Sequence, residues 1–167
     1  DQLADDESKL RIVGNLPYNI STPLIFHLLE SITKLKDMHF MLQKEVVERM
    51  ASVPSTSSYG RLGIMTQYYC KVQPLFIVGP ESFDPAPKVE SAIVRLVPHE
   101  TLPYPVESIT RLQHVVRTAF TKRRKTLRNA LAGAVEPEAL EDLGIETGLR
   151  PENLSLEQFT LLSNWKA

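Results

Sequence analysis

The feature that most limits the possible folds of this chain is an apolar run that ends at an amide side chain and a proline. Residues 10–14 lead directly into Asn15-Leu16-Pro17-Tyr18. The pattern predicts a strand over residues 11–14 that stops at a rigid turn, followed by a helix over residues 23–32 with Thr22 as its cap. This βα unit favours an open α/β sheet. In such sheets, functional side chains gather at the C-terminal ends of strands.

The residues of this turn have a particular chemistry. The amide oxygen of Asn15 and a main-chain carbonyl near Pro17 can both accept hydrogen bonds from one exocyclic amine, and the ring of Tyr18 can stack on a flat base. In outline, this is a site for methylating a nucleobase amine. Asn and Pro are also ordinary turn formers, so the motif alone leaves a plain turn as the alternative.

A second motif strengthens the first. Phe83-Asp84-Pro85-Ala86-Pro87-Lys88-Val89-Glu90-Ser91 reads as a proline-braced loop that carries one exposed aromatic ring and leads into a strand over residues 92–97. We expect Tyr18 and Phe83 to flank one edge of the sheet and to hold an extruded base on its faces. Lys88 is placed either to contact a phosphate or simply to lie on the surface.

Together with Tyr59-Gly60-Arg61-Leu62 and Phe120-Thr121-Lys122-Arg123-Arg124-Lys125, these motifs make residues 10–165 resemble the bacterial dimethyladenosine transferases, which modify small-subunit ribosomal RNA. The resemblance implies the C-terminal part of a Rossmann-like methyltransferase domain followed by a small all-helical domain. It implies S-adenosylmethionine-dependent dimethylation of N6 of adjacent adenines in 16S RNA of the assembling small subunit, in the cytoplasm. Related erythromycin-resistance methylases of large-subunit RNA share Asn-Leu-Pro-Tyr-like segments and stay open as an alternative. The implied catalytic residues are Asn15, Leu16, Pro17, Tyr18 and Phe83, and Asn15 also lines the donor site.

The glycines point to an incomplete donor site. None of the seven forms part of a Gly-x-Gly-x-x-Gly turn, and the chain opens at Asp1 with an acidic stretch over residues 1–7. In the family, the glycine-rich donor turn precedes the segment that begins here. We therefore expect a fragment without its N-terminal half, inactive by itself and able to dimerise through an exposed sheet edge. A non-catalytic RNA-binding or ribosome-assembly module is the alternative.

The net charge of −1 conceals a strong segregation of charge. Residues 111–128 contain seven basic side chains and no acidic one, whereas residues 136–146 are acidic. If the basic stretch is one helix, its apolar positions Val116, Phe120, Leu127 and Leu131 share a face opposite Lys122, Lys125 and Arg128. Such a face suits a phosphate backbone, although a solvated helix has the same pattern. The predicted RNA-binding residues are Lys88, Lys122, Arg123, Arg124, Lys125 and Arg128.

The rest of the chain contains further predicted strands and helices and one predicted domain boundary. Further strands are predicted over residues 38–43 and 75–78, and helices over residues 44–51 and 62–70. Three prolines in residues 98–105 predict a domain boundary, which gives a partial methyltransferase domain over residues 1–98 and a helical RNA-binding domain over residues 99–167. A capping box of Ser155 and Gln158 starts a last helix that runs to about Trp165.

Other classes of protein fit the sequence poorly. No apolar run has the length of a membrane span, and no signal peptide opens the chain. The single cysteine, Cys70, excludes an internal disulfide and lies in an apolar pattern that predicts a core position. The four histidines, at positions 27, 39, 99 and 114, lack the spacing of metal ligands, so no metal is expected.

Overall fold

A computed structural model describes residues 9–166, which fall into two units. The sheet unit is the chain up to Ala51 together with Tyr69–Thr101, and the helical unit is Ser52–Tyr68 together with the chain from Leu102 onwards. This division differs from a single boundary at residue 98, because the segment before Tyr69 bonds to the later helices. The Tyr59 hydroxyl, for example, donates to the Leu154 carbonyl at 2.8 Å. The acidic stretch over residues 1–7 lies outside the described residues.

The sheet unit is a mixed α/β structure, which confirms the expected fold class. Its strands are β1 (Leu10–Asn15), β2 (Leu35–Gln43), β3 (Cys70–Val78) and β4 (Ser91–Pro98), in the spatial order β1-β2-β4-β3. Strand β1 is parallel to β2, and β4 is antiparallel to both of its neighbours. Alternate residues of the two central strands supply the buried core, namely Met38, Phe40, Leu42, Val94 and Leu96.

The βα unit at the start of the chain is confirmed, but its cap is not Thr22. Helix α1 (Ser21–Glu30) has Ile20 at its N-cap, without a side-chain cap. The reason is the tight turn before it, in which the Ile20 amide donates to the Pro17 carbonyl at 3.2 Å and the Leu24 amide then donates to the Ile20 carbonyl. Helix α2 (Lys44–Met50) follows β2 directly, as predicted.

Strand β3 is longer than the sequence suggested. Helix α3 (Arg61–Tyr69) ends one residue before the predicted terminus, and Cys70 is the first residue of the strand. Pro74 is tolerated because β3 lies at the edge of the sheet and its register shifts between Pro74 and Phe76. Cys70 is buried, which confirms the core position, and its burial raises the pKa of the thiol to about 12.

The helical unit adds α4 (Ile109–Thr121), α5 (Leu127–Ala130), α6 (Glu138–Asp142) and α7 (Leu156–Asn164). The capping box at Ser155 is confirmed. The basic stretch is not one continuous helix, because α4 ends at Thr121. A turn, in which the Lys125 amide donates to the Lys122 carbonyl, separates α4 from α5. Among residues 9–166, no helix is both long and apolar enough to cross a membrane.

Candidate active site

The turn after β1 is held by main-chain hydrogen bonds. The Leu16 amide donates to the Met41 carbonyl of β2 at 3.2 Å, and the Ser21 hydroxyl donates to the Tyr18 carbonyl at 3.2 Å. The side chain of Asn15 projects into solvent at the C-terminal end of β1, and no residue among 9–166 bonds to its amide. Its donor and acceptor atoms are therefore available to a ligand.

The structure distinguishes the two carbonyls that the sequence left open. The Pro17 carbonyl accepts the Ile20 amide within the turn. Within the described chain, the Leu16 carbonyl accepts no hydrogen bond. Of the two, the Leu16 carbonyl is the one beside Asn15 that accepts no hydrogen bond from the described residues.

Tyr18 is fixed at both ends of its side chain. Its backbone belongs to the turn, and a 3.0 Å hydrogen bond joins its phenol oxygen to the hydroxyl of Ser91. Ser91 is 1% exposed and starts β4 between Gln43 and Val78, whereas Tyr18 is 41% exposed. The sheet therefore sets the direction of the ring, and part of the ring is left uncovered for a ligand.

The loop that carries Phe83 is also anchored. The Phe83 amide donates to the Pro80 carbonyl at 3.2 Å, and the ring is half-buried. At the far end of the loop, Lys44 of α2 binds Glu90 twice, through its amide to the carbonyl at 3.0 Å and through its ammonium to the carboxylate at 2.8 Å. Lys88 lies exposed on this loop.

These two loops enclose an open cavity of about 290 Å³. The cavity brings together all five residues predicted to be catalytic. The other four lining residues were not predicted to belong to the site, although Pro85, Pro87 and Ser91 are part of the second motif. None of the lining side chains carries a charge at neutral pH. The nine lining residues are Asn15, Leu16, Pro17, Tyr18, Met41, Phe83, Pro85, Pro87 and Ser91.

An ion cluster secures β1, the strand that presents Asn15. Arg11 binds Asp37 of β2 through two hydrogen bonds of 2.7 and 2.9 Å, and the two residues are register partners in the sheet. Asp37 is 2% exposed, and Arg95 lies 3.7 Å away. The hydrogen bonds from Arg11 outweigh burial and hold the pKa of the Asp37 carboxyl below its ordinary value. This cluster cannot be recognised from sequence, because only strand pairing brings its members together.

The basic stretch of the helical unit divides into two kinds of cation. Arg123 is half-buried and donates to the Glu152 carboxylate at 2.9 Å and to the Thr56 carbonyl at 3.2 Å. It therefore supports the helical unit. The other predicted cations of this stretch are exposed, and they are Lys122, Arg124, Lys125 and Arg128.

In the described part of the chain, no three His, Cys, Asp or Glu side chains lie close enough together to hold a metal ion. For a methyl donor, the site offers the free amide of Asn15 at the end of β1. This uncharged polar group fits one wall of a donor pocket, and no other residue of the chain was predicted to bind the donor.

Comparison with known proteins identifies relatives over almost the whole chain. The family model described as "Ribosomal RNA adenine dimethylase" matches residues 2–167. The chain is 66% identical to the ribosomal RNA small subunit methyltransferase A of Marinobacter nauticus and 60% identical to that of Vibrio cholerae, over 98% of its own length in each case. It spans 59% and 60% of the length of these two relatives.

Solved structures agree with this relationship. A dimethyladenosine transferase from Plasmodium falciparum is 30% identical and superposes with a TM-score of 0.81, over 97% of this chain and 68% of that one. The 23S rRNA methyltransferase ErmE, at 23% identity and a TM-score of 0.68, covers 97% of this chain and 67% of its own. At that identity, the second likeness concerns the fold alone.

Proposed function

The chain belongs to the ribosomal RNA adenine dimethylase family, and we propose that the protein containing it dimethylates N6 of adjacent adenines in small-subunit (16S) ribosomal RNA, with S-adenosylmethionine as donor. One observation carries this proposal: a single uncharged cavity is lined by Asn15, by Leu16, whose carbonyl accepts no hydrogen bond from the described residues, and by Tyr18 and Phe83. The names of the two bacterial relatives support the small subunit as the target. In this proposal the sheet unit supplies the catalytic part and the helical unit the RNA-binding part.

The hydrogen-bond acceptors of the cavity act on the adenine amine. The N6 lone pair is delocalised into the ring, so the amine is a poor nucleophile in free adenine. The side-chain oxygen of Asn15 and the Leu16 carbonyl each accept a hydrogen bond from one of the two amine hydrogens. These hydrogen bonds draw the hydrogens out of the ring plane and localise the lone pair on the nitrogen. The same two acceptors stabilise the positive charge that develops on nitrogen.

The absence of charged groups from the cavity lining suits this reaction. When bound, S-adenosylmethionine supplies an electrophilic methyl group on a sulfonium, and Asn15 lines one wall of its pocket. Once the nitrogen is cationic, its proton is acidic enough to pass to water, so a carboxylate or imidazole base is unnecessary. Dimethylation requires the same acceptors to hold the monomethyl amine through its remaining hydrogen.

The two aromatic rings hold the base. An adenine reaches the cavity only after leaving its stack in the RNA, which costs a few kcal/mol. Stacking on Tyr18 and Phe83 returns roughly 1–3 kcal/mol per ring, enough to offset that cost. The exposed cations Lys122, Arg124, Lys125 and Arg128, with Lys88 of the Phe83 loop, contact phosphates. Arg123 can contact a phosphate only if its ion pair with Glu152 breaks.

The direct test is labelled-methyl transfer from S-adenosylmethionine to unmethylated small ribosomal subunits, with large subunits in parallel. The protein is extended at its N-terminus to the length of its relatives. We expect transfer to small subunits and its loss in Asn15→Ala, whereas Asn19→Ala, an exposed neighbour in the same turn, keeps the wild-type rate. Transfer to large subunits instead would favour the related large-subunit activity. RNA binding without any transfer would favour the assembly module.

A further inference from the structure

A second cavity lies on the helical unit, at the N-terminal part of the basic stretch over residues 111–128. It has a volume of about 260 Å³ and is lined by Arg61 of α3 and by Thr110, Gln113, His114 and Arg117 of α4. The four α4 positions follow the spacing i, i+3, i+4, i+7, so they form one stripe along the helix. Three of them are exposed and Gln113 is half-buried, which makes the stripe accessible from solvent.

The lining has the chemistry of an anion site. Its side chains include the guanidinium of Arg117, an imidazole, an amide and a hydroxyl, all of which can donate hydrogen bonds, and Arg61 adds a second positive charge to the lining. No carboxylate lines the cavity, and α4 contains no acidic residue. A planar guanidinium donates two parallel hydrogen bonds to phosphate oxygens, which makes a phosphate group a fitting ligand.

The cations of the helical unit differ in what they already bind. Arg111, on the same helix, donates to the Trp165 carbonyl at 2.9 Å, and Arg123 is paired with Glu152. Arg117 and His114, in contrast, form no ion pair with any residue among 9–166. The fold therefore does not use these two side chains, although it places them in one cavity.

We infer that this cavity binds phosphate groups of the RNA backbone and forms a second contact region besides residues 122–128. The inference rests on the proposed function for its choice of RNA over a free anion. A phosphate in the cavity meets the guanidinium of Arg117, with His114 and Gln113 as further donors. Such a contact positions the RNA and carries no sequence information.

The test measures the affinity of the 167-residue chain for unmethylated small-subunit RNA as a function of salt concentration. The affinity falls as salt rises, and losing one phosphate contact makes the slope of log affinity against log salt shallower by about one. We expect this change for Arg117→Gln and a near wild-type slope for Arg117→Lys, which keeps the charge. The control Lys36→Gln, at an exposed cation of β2, is expected to leave the slope unchanged. Thermal unfolding of each variant confirms that the fold is intact.

An unchanged slope in Arg117→Gln would overturn the inference. A second result would also overturn it. If pyrophosphate binds saturably and shifts the side-chain NMR signals of Arg117 and His114, but Arg117→Gln keeps the wild-type affinity for RNA, the cavity binds a free anion and not the RNA backbone. Methyl transfer by the extended protein separates the two proposals. Transfer with an unchanged slope refutes this inference alone, and a changed slope without transfer refutes the proposed function alone.

Discussion

At the scale of single residues, the site depends on how two aromatic rings are held. Tyr18 is tied to the sheet through Ser91, and Phe83 lies on a loop anchored at Glu90. Both rings line the cavity. In the proposed function, a base that stacks on these rings meets surfaces whose orientation is already set, so little further ordering is needed on binding.

We expect Tyr18→Ala and Phe83→Ala each to slow methyl transfer at least tenfold in the extended protein. Each substitution removes a stacking surface worth roughly 1–3 kcal/mol. Single-turnover rates on small subunits provide the measurement. Leu161→Ala, at an exposed apolar residue of the helical unit, is the control. Wild-type rates in both ring variants would contradict the stacking role.

Ser91 allows positioning to be separated from stacking. Tyr18→Phe keeps the ring but loses the 3.0 Å hydrogen bond to Ser91, and Ser91→Ala loses the same bond from the other side. We expect both variants to lower the transfer rate by a similar factor, smaller than that of Tyr18→Ala. The double variant should be no slower than either single one, because the two changes remove one shared interaction. Additive losses would show that the two hydroxyls act separately.

At the scale of elements, the ends of strands and helices were the hardest to predict. Short apolar runs identified β1, β2, α2 and β4, and the two central strands, β2 and β4, contain the buried positions that such runs predict. The first half of β3 was missed, since Lys71, Gln73 and Pro74 lack a buried pattern at the edge of the sheet. The break between α4 and α5 was missed because the spacing of apolar residues continues across the turn, and Val116 and Leu127 are both buried.

The pairing of β1 with β2 predicts a pH dependence of stability. Arg11 holds the pKa of Asp37 below its ordinary value of about 3.9, so the ionised carboxylate stabilises the fold fully above that pH. This contribution is lost as pH falls through the lower folded-state pKa. We expect Asp37→Asn to be less stable than wild type at pH 7, with the difference shrinking below about pH 4. Urea unfolding at several pH values measures it.

Asp84→Asn, at an exposed carboxylate on the Phe83 loop, is the matched control and should track wild type at every pH. A difference between Asp37→Asn and wild type that stays constant down to pH 2.5 would show that the carboxylate is not stabilised by its charge. In that case the ion pair would act through packing alone.

The turn between α4 and α5 makes a separate prediction about RNA. Lys125 and Arg128 are exposed beside it. We expect Lys125→Glu with Arg128→Glu to weaken binding of small-subunit RNA and to flatten its salt dependence, because two phosphate contacts are lost. Lys36→Glu with Lys71→Glu makes the same charge change at exposed positions of the sheet unit. An equal loss in this control pair would mean that net charge, and not position, governs binding.

At the scale of the whole molecule, the grouping of the two loops was easier to predict than the division of the chain. Asn15, Tyr18 and Phe83 were grouped from sequence because their residue types are what an amine site needs, and all three line one cavity. The Ser91 bond and the choice of the Leu16 carbonyl required coordinates, since they depend on turn geometry. The grouping of Ser52–Tyr68 with the later helices was also hidden, because a largely buried helix such as α3 does not reveal from its sequence which core it joins.

The last prediction concerns activity of the chain as a whole. The residues described include both loops that line the cavity and the exposed cations, but Asn15 is the only one of them proposed to line the donor pocket, and no glycine-rich turn occurs in the sequence. We therefore expect the 167-residue chain to bind small-subunit RNA without transferring methyl groups, and the extended protein to do both. Labelled transfer and RNA binding, measured side by side for both proteins, provide the test. Transfer by the 167-residue chain alone would mean that the donor is held by residues other than those a glycine-rich turn supplies.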